Sequence, residues 1–280
     1  MTKSLVSVLI GTYNRSKLLK RCINSILNQN YSNIEIIIIN DCSTDNTIEI
    51  LNEYVHKYPN IKYINNNKNR GISYNSNLAY SLSSGKYIAL IGDDDEWNDT
   101  KKITKQVEAF KKDKNLGIVT TYWNDVKNGK IIRQHQPKID KNVLCQILKG
   151  NGIYCGSTAL ISKEAWEKVK GFDESVPRGT DSDLFRSIIA KGYQSKILNF
   201  FSTNVYIDNH PRMTPTKSIS AFKKDILSNE ICLEKFKLEF NHCLEAKLLR
   251  KKSLSKKYLK LFLRERNFKI LNNFIKVLYK

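Results

Sequence analysis

The first hundred residues alternate between short apolar runs and amphipathic stretches. The apolar runs begin at Leu5, Ile34, Ile61 and Tyr87. The run that begins at Tyr87 lacks strict alternation, which is typical of a parallel strand that is covered on both faces. Between the apolar runs, apolar residues recur at helical spacing after Ser16, after Asp45 and after Gly71. This pattern predicts an α/β fold with a mainly parallel sheet, flanked by helices and joined by right-handed crossovers.

The remaining two thirds of the chain are mixed and then wholly helical. We expect a helix over residues 103–110, strands over 117–123 and 153–162, and a tight hairpin turn at Asn128-Gly129. A further helix near 164–169 precedes the GFDES segment. The apolar spacing after Thr180 places Asp181 at or near the start of another helix, as a plain N-cap or in a catalytic role. From Ser218 to the end the spacing is helical.

Composition sets the domain organisation. A chain of 280 residues with 41% hydrophobic residues buries a large core. We expect an α/β domain over residues 1–216, made of halves 1–97 and 98–216, and a basic helical region over 217–280. No signal peptide and no transmembrane run are expected. The six cysteines contain no CxxC pair and fit single thiols in a reducing cytoplasm.

The net charge of +20 is concentrated near the end of the chain. Residues 217–280 hold 17 Lys and Arg against 6 Asp and Glu, or +11. This region is interpreted as a helical cap with solvated lysines, as a surface that binds anionic lipid, or as a homodimer interface. Nucleic-acid binding is not expected, because no helix-turn-helix, RRM or zinc-finger signature accompanies the charge.

The run YIALIGDDDEW, residues 87–97, is the strongest chemical signal. Gly92 ends a buried-type strand, and Asp93, Asp94 and Asp95 follow at its carboxyl end, where open α/β sheets bind ligands. Adjacent carboxylates repel one another unless a cation or a proton joins them. Mg²⁺ or Mn²⁺, shared with substrate phosphates, suits them. The alternative is an acidic turn before a helix; the buried strand directly before the run favours the metal.

The first strand is followed by GTYNR, which contains neither GxGxxG nor a P-loop, so classical dinucleotide-binding and P-loop proteins are disfavoured. Six segments together resemble the family 2 glycosyltransferases, which have the nucleotide-diphospho-sugar transferase (GT-A) fold. They are VSVLIGTYNR, IEIIIINDCSTDNT, NRGISYNSN, YIALIGDDDEW, GFDES and RGTDSDLF. They follow the family's order over roughly residues 4–212.

The resemblance implies a role for each matching residue. Residues that would bind the nucleotide part of the donor are Thr12, Tyr13, Asn14, Arg15, Asp41, Arg70, Asn77, Asp93 and Asp94. Residues that would bind the metal are Asp95, Asp93 and His210. Asp181 would be the general base.

Three positions qualify this assignment. Thr180 stands where the family usually has a Glu before the base. Asn75-Ser76-Asn77 replaces a frequent Ala-Arg-Asn, so one arginine on the phosphate side is missing. His210 is as readily a structural histidine as a metal ligand.

The resemblance implies an inverting transfer of a sugar from a nucleotide-diphospho-sugar, expected to be a UDP-sugar, with Mn²⁺ or Mg²⁺ as cofactor. The acceptor would be a hydroxyl of a glycan or lipid-linked glycan in surface polysaccharide biosynthesis. The expected location is cytoplasmic, or peripheral on the cytoplasmic face of the membrane. A sugar nucleotidyltransferase is the alternative, although it normally has a Gly-rich basic loop that GTYNR lacks. A binding-only relative is disfavoured because Asp93, Asp95 and Asp181 are present.

Overall fold

The computed structural model describes residues 3–150, 152–207 and 218–279. The strands in these ranges are β1 (Val6–Thr12), β2 (Ile34–Asn40), β3 (Ile61–Asn65), β4 (Tyr87–Leu90), β5 (Glu96–Trp97), β6 (Leu116–Lys127), β7 (Lys130–His135), β8 (Leu160–Ser162) and β9 (Gln194–Tyr206). The helices are α1 (Ser16–Leu27), α2 (Thr47–Lys57), α3 (Ile72–Ser81), α4 (Lys102–Lys112), α5 (Val143–Leu148), α6 (Lys163–Val169), α7 (Thr180–Ala190), α8 (Ile219–Lys235), α9 (Lys237–Asn241), α10 (Leu244–Glu265) and α11 (Phe268–Tyr279).

All nine strands belong to one mixed sheet. Its order is β3-β2-β1-β4-β8-β6-β9-β5, and β7 forms a hairpin with β6. The four strands β3, β2, β1 and β4 are parallel, and β8 is antiparallel to both of its neighbours. The mainly parallel α/β fold predicted from the sequence is therefore confirmed. The carboxyl ends of β1, β2 and β4 meet at one edge, where the candidate site lies.

Both faces of the sheet are buried at β1, β2 and β4, which explains why these strands contain unbroken apolar runs. Val8 and Ile38 point into the core beneath α1, α2 and α4, whereas Leu9, Ile37 and Ile39 point into the core beneath α3, α6 and α7. Each apolar side chain of β1 and β2 therefore removes apolar surface from water, whichever face it points to.

Two expectations about irregular backbone have opposite outcomes. The hairpin turn is confirmed, because Asn128 and Gly129 have φ angles of 50° and 73° and connect β6 to β7. The strand predicted over residues 153–162 is wrong for most of its length. Only Leu160–Ser162 pairs, and Gly156–Thr158 forms a 3₁₀ turn. The turn is closed by the amide N–H of Thr158, which donates to the carbonyl of Cys155 at 3.0 Å.

The region from Ser218 onward is helical, as predicted. Its helices pack through Leu148, Phe236 and Phe240 in one apolar cluster and through Leu254 and Tyr258 in a second. The expected boundary at residue 216 falls outside the described residues. In the part that the structure describes, no helix combines the length and apolarity needed to cross a membrane.

Two cysteines correct the expectation of single thiols. Cys145 of α5 and Cys243, just before α10, form a disulfide with a Cα–Cα distance of 5.3 Å. Cys22 and Cys232 are buried free thiols, as the sequence suggested for most of the six. The disulfide-bonded cysteines, Cys145 and Cys243, are 98 residues apart, so no local spacing indicated the disulfide.

Candidate active site

The acidic run, residues 93–95, forms a tight turn at the carboxyl end of β4. We call this segment the acidic turn. The amide of Asp95 donates to the carbonyl of Gly92 at 3.0 Å. Asp93 and Asp95 are buried, with exposed fractions of 1% and 7%, whereas the Asp94 side chain is 21% exposed. The turn thus directs two carboxylates into the protein and leaves the third near its surface.

Two arginines from the start of the chain bind this turn. One guanidinium nitrogen of Arg15, Nη1, lies 2.8 Å from Asp93 Oδ1 and 2.9 Å from Asp94 Oδ2. Arg21 donates to the backbone carbonyl of Asp94 at 2.6 Å and stacks over the Tyr206 ring at 3.4 Å. Burial opposes the charge of Arg15, but Asp93 and Asp94 outweigh it and raise the pKa of Arg15. The Arg15 guanidinium therefore stays charged and is held by both carboxylates.

Arg15 does not provide a hydrogen bond to every carboxylate oxygen of the two buried residues, Asp93 and Asp95. Asp93 Oδ2 is buried and has no hydrogen-bond partner among the described residues. Burial raises the pKa of Asp93 to about 6, against the opposing charge of Arg15. Burial, followed by the charge of Asp94, raises the pKa of Asp95 to about 8. Both shifts arise first from burial, which disfavours the charged carboxylate, and the neighbouring carboxylate Asp94 adds to each of them.

This electrostatic imbalance predicts a pH-dependent stability without metal. The pKa values of Asp93 and Asp95 are raised above the ordinary 3.8, so the folded state binds more protons than the unfolded state. The free energy of unfolding should therefore fall as pH rises from about 4 to about 8, by at most about 1.4 kcal/mol per pH unit for each carboxyl group. Urea denaturation across this window measures it. Asp95→Asn should flatten the profile and Mn²⁺ should restore stability near pH 8; identical profiles for wild type and variant would contradict the prediction.

One turn connects the acidic run to Asp181. The Ser157 hydroxyl donates to Asp95 Oδ2 and accepts from the amide of Gly92 at 2.9 Å. On the other side of the turn, a Cβ placed on Gly156 would lie 3.3 Å from Asp181 Oδ2. Burial raises the pKa of the adjacent Cys155 thiol, and the charges of Asp95 and Asp181 raise it further. The structure therefore brings Asp95 and Asp181 to the same short segment, residues 155–157, which we call the bridging turn.

Asp181 is the second residue of α7, as the spacing predicted. Its Oδ1 accepts from the amide of Ser182 at 2.7 Å, and the helix begins after Gly179, whose φ is 66°. Its Oδ2, beside Gly156, is the oxygen that faces the bridging turn. The carboxylate is partly exposed, so a proton acceptor at this position is open to a bound molecule.

The predicted nucleotide-binding residues lie at the same sheet edge. Asp41 follows β2, is 3% exposed, and accepts hydrogen bonds from the amides of Arg70 and Gly71 at 2.8 and 2.9 Å. It therefore holds the turn that enters α3. The Arg70 guanidinium stacks over the Tyr74 ring at 4.2 Å.

The loop after β1 combines buried and open positions. Thr12 is buried, while Tyr13 is 40% exposed and offers an aromatic face at the edge. Asn14 has a left-handed backbone with φ of 52°, and its side chain accepts from the amide of Thr44 at 2.7 Å. Asn14 thus ties the loop after β1 to the loop after β2, and the exposed ring of Tyr13 is accessible to a nucleobase.

Two predicted residues lie differently. The Asn77 side chain donates to the Phe172 carbonyl and accepts from the Phe172 amide, both at 2.9 Å, so it anchors the GFDES segment. Its contact with a donor stays a prediction. His210 lies outside the described residues.

Sequence reasoning missed Ser157, Arg21 and Tyr206. The amide of Tyr206 donates to the Asp95 carboxylate and helps to lower its pKa, and Arg21 holds the turn from the opposite side. Gly156-Ser157 inside an expected strand was the one available signal, because glycine in a strand often marks an irregularity. Nothing local indicated the other two.

The donor set suits a hard divalent cation. The described residues contain no group of three or more His, Cys, Asp or Glu that could hold a metal by themselves. Asp93 Oδ2 is nevertheless an unpartnered buried oxygen beside a second buried carboxylate. Mg²⁺-type sites commonly use one or two carboxylates and complete their coordination with water and substrate phosphates. Asp93 and Asp95 fit that arrangement.

A mixed α/β sheet with buried carboxylates at the carboxyl end of a parallel strand is typical of ligand-binding α/β proteins. Comparison with known proteins specifies the family. Residues 7–170 match the family described as Glycosyl transferase family 2. The chain belongs to this family.

Relatives and a solved structure agree with this assignment. The chain is 32% identical to the chondroitin synthase of Escherichia coli over 191 residues, which is 67% of this chain and 27% of that protein. It is 31% identical over 202 residues to the Escherichia coli UDP-Glc:alpha-D-GlcNAc-diphosphoundecaprenol beta-1,3-glucosyltransferase WfaP, covering 71% of this chain and 76% of WfaP.

The chain spans only about a quarter of the length of the first relatives it matches, namely 27%, 22% and 22%. The mannosyltransferase PcManGT from Pyrobaculum calidifontis, solved with GDP-Man and Mn²⁺, superimposes with a TM-score of 0.66 at 19% identity. That match covers 92% of this chain and 72% of PcManGT. The structural similarity supports the GT-A fold.

Proposed function

We propose that the protein is a metal-dependent, inverting glycosyltransferase that moves a sugar from a nucleotide-diphospho-sugar to an acceptor hydroxyl. The observation that carries the proposal is the bridging turn, which contacts Asp95 on one side and Asp181 on the other. A donor-side carboxylate and a proton acceptor then share one site. Transfer with inversion needs both, because the hydroxyl attacks from the face opposite the departing diphosphate.

Asp181 is assigned the general base. An acceptor hydroxyl is a poor nucleophile until its proton is removed, and a carboxylate at hydrogen-bonding distance removes it as the new bond forms. Oδ2 of Asp181 is available for this role, because the described hydrogen bond of the carboxylate uses Oδ1. The absent Glu at position 180 is replaced in part by the Ser182 amide, which orients the carboxylate.

We assign to the acidic turn the binding of the nucleotide-sugar donor. Asp93 and Asp95 would hold Mn²⁺ or Mg²⁺, which would neutralise charge that develops on the leaving diphosphate. Arg15 fixes the turn, Tyr13 offers a stacking face to the base, and Asp41 orders the loop at Arg70 and Gly71. WfaP takes a UDP-sugar by its name, whereas PcManGT was solved with GDP-Man. We favour a UDP-sugar.

Incubation with a panel of UDP- and GDP-sugars tests the proposal. We expect one donor to be hydrolysed slowly to nucleoside diphosphate with Mn²⁺ or Mg²⁺, and not with EDTA. A sugar nucleotidyltransferase would instead form sugar nucleotide from sugar phosphate and nucleoside triphosphate. That result, or the absence of any hydrolysis or thermal stabilisation across the panel, would overturn the assignment.

We propose that the protein acts at the cytoplasmic face of the membrane. Its acceptor would be a glycan or a lipid-linked glycan, which it extends. WfaP names a lipid diphosphate acceptor. Lys252, Lys256, Lys260 and Arg264 recur every four residues on α10 and are exposed, so they form one basic stripe. Leu263 and Phe268 nearby are 65% and 76% exposed. A basic stripe beside exposed apolar side chains is typical of helices on anionic bilayers.

Vesicle sedimentation tests this surface. Each lysine near an anionic bilayer is worth about 1 kcal/mol, so a triple Lys252, Lys256 and Lys260→Gln variant should partition roughly a hundredfold less onto phosphatidylglycerol vesicles. A matched change of the exposed Lys111, Lys112 and Lys114 to Gln should have little effect. Equal sedimentation of both variants, or concentration-dependent dimerisation lost with the stripe, would instead favour a solvated cap or a homodimer.

A further inference from the structure

A polar cavity lies beside α7, and none of the three aspartates of the acidic turn lines it. It has a volume of about 280 Å³, and arginines from three different segments line it: Arg178, Arg186 and Arg250. Ser182, the residue after Asp181, also lines it. No residue of the expected half 1–97 is among its lining residues. We call it the arginine cavity.

The guanidinium groups are held in place but not fully satisfied. Arg250 donates to the carbonyl of Leu148 at 2.7 Å and to the Asn229 side chain at 3.1 Å. Its remaining nitrogen, Nη2, is buried and has no partner among the described residues, and the same is true of Nε of Arg186. Arg186 is 7% exposed. Buried charged donors without partners are costly, and negative charge in the cavity lined by the same guanidinium groups would offset that cost.

The charges around the cavity leave an excess of two positive. Arg178, Arg186, Arg250 and the neighbouring Lys257 face two carboxylates: Asp225, which is 3.2 Å from Arg178, and Asp183, which is 4.0 Å from Arg186. Asp183 also pairs with Lys235, which pairs in turn with Asp173, so counting that pair does not change the excess.

The directions of the pKa shifts in the cluster agree with this count. Burial lowers the pKa of Arg250, and the charge of Arg186 adds to the lowering. Burial also lowers the pKa of Lys257, with contributions from Arg250 and Arg178. Like charges that disfavour one another across a cavity are the expected environment of an anion site before its anion binds.

We propose that the arginine cavity binds a phosphate group of the acceptor substrate. A single guanidinium pairs with a planar carboxylate, whereas three guanidinium groups arriving from different directions suit the several oxygens of a tetrahedral phosphate. A phosphate ester also carries the one or two negative charges that the cluster lacks. Ser182 lines the cavity, and Asp181 is the residue directly before Ser182. A phosphate held in the cavity would therefore place the attached acceptor sugar beside the general base. The inference rests on the proposed function and names its acceptor class.

Calorimetric titration of inorganic phosphate into the full chain, at constant ionic strength and with saturating UDP, tests the site. We expect one phosphate per chain, unaffected by UDP. Arg178→Gln should weaken it about tenfold or more, because it removes a charged donor. Asp225→Asn should tighten it, because it releases Arg178 from a competing carboxylate. Both side chains are partly exposed, at 18% and 32%, so both variants should fold. A purely structural ion pair would not give effects of opposite sign.

Lys223→Gln is the matched control, since Lys223 lies on the same helix as Asp225 but pairs with Glu265. It should leave phosphate binding unchanged. Binding that UDP abolishes would place the phosphate in the donor site, and displacement by phosphatidylglycerol vesicles would assign the cavity to a lipid headgroup; either result overturns the proposal, as does equal binding by Arg178→Gln. Phosphate binding is measured without turnover, so a chain that hydrolyses donor but binds no phosphate refutes this inference alone.

Discussion

Asp181→Asn is expected to lower the rate of sugar transfer by about 10²–10⁴-fold, the range that general base catalysis supplies. The amide has nearly the same shape as the carboxylate and can still accept from the Ser182 amide, but it cannot take a proton from the acceptor. Steady-state transfer with saturating donor measures the loss. Donor affinity should be unchanged, because Asp181 contacts the bridging turn through Gly156 and not the acidic turn itself.

Asp140→Asn is a suitable control, because Asp140 is an exposed carboxylate in the same half of the chain. It should transfer sugar at the wild-type rate. A second check is Asp181→Glu, which retains a base and should recover part of the activity. Near-normal turnover in Asp181→Asn would remove the residue from the base role, whereas loss of donor binding as well would indicate damage to the bridging turn.

Asp95→Asn should be the other severe change, with donor cleavage reduced about 10²–10³-fold, the cost of removing one electrostatic contact to a developing charge. The expected signature differs from that of Asp181→Asn. Stabilisation of the protein by Mn²⁺ should be lost along with the activity, because Asp95 is a proposed ligand. Thermal unfolding with and without Mn²⁺, in the presence of nucleoside diphosphate, separates the two variants.

Asp99→Asn controls for a charge change close by, since Asp99 pairs with Lys105 at 2.9 Å outside the site. Ser157→Ala tests the contact from the other partner. It removes the hydroxyl that donates to Asp95 Oδ2 and accepts from the Gly92 amide, so we expect a smaller loss. Asp95→Asn that keeps Mn²⁺ stabilisation would exclude Asp95 as a ligand and leave Asp93 as the remaining candidate.

Much of the site was visible in local patterns. The run that ends at Gly92 was interpreted as a buried strand followed by ligand-binding carboxylates. In the structure this strand is β4, and the carboxylates lie at its carboxyl end. Gly71 marked the entry to α3, and the apolar spacing after Thr180 marked α7. These features depend on a few adjacent residues, because burial on both faces, glycine conformations and helix starts leave short-range signatures.

Long-range contacts were not visible in this way. Arg15 meets Asp93 across 78 residues, Ser157 meets Asp95 across 62, and the disulfide joins residues 98 apart. The expected strand over residues 153–162 failed for the same reason. Its glycine and serine are shaped by contacts with the acidic turn, and such contacts override the β-propensity of their neighbours.

By itself the sequence determined the α/β architecture, the position of the acidic run at a strand end, and the excess of positive charge after residue 216. The tertiary structure alone decided that the bridging turn joins Asp95 to Asp181 and that three arginines surround one cavity. The physical reason is range: periodicity and turn chemistry act over a few residues. Which distant side chains meet depends on how the whole sheet and its helices close around them.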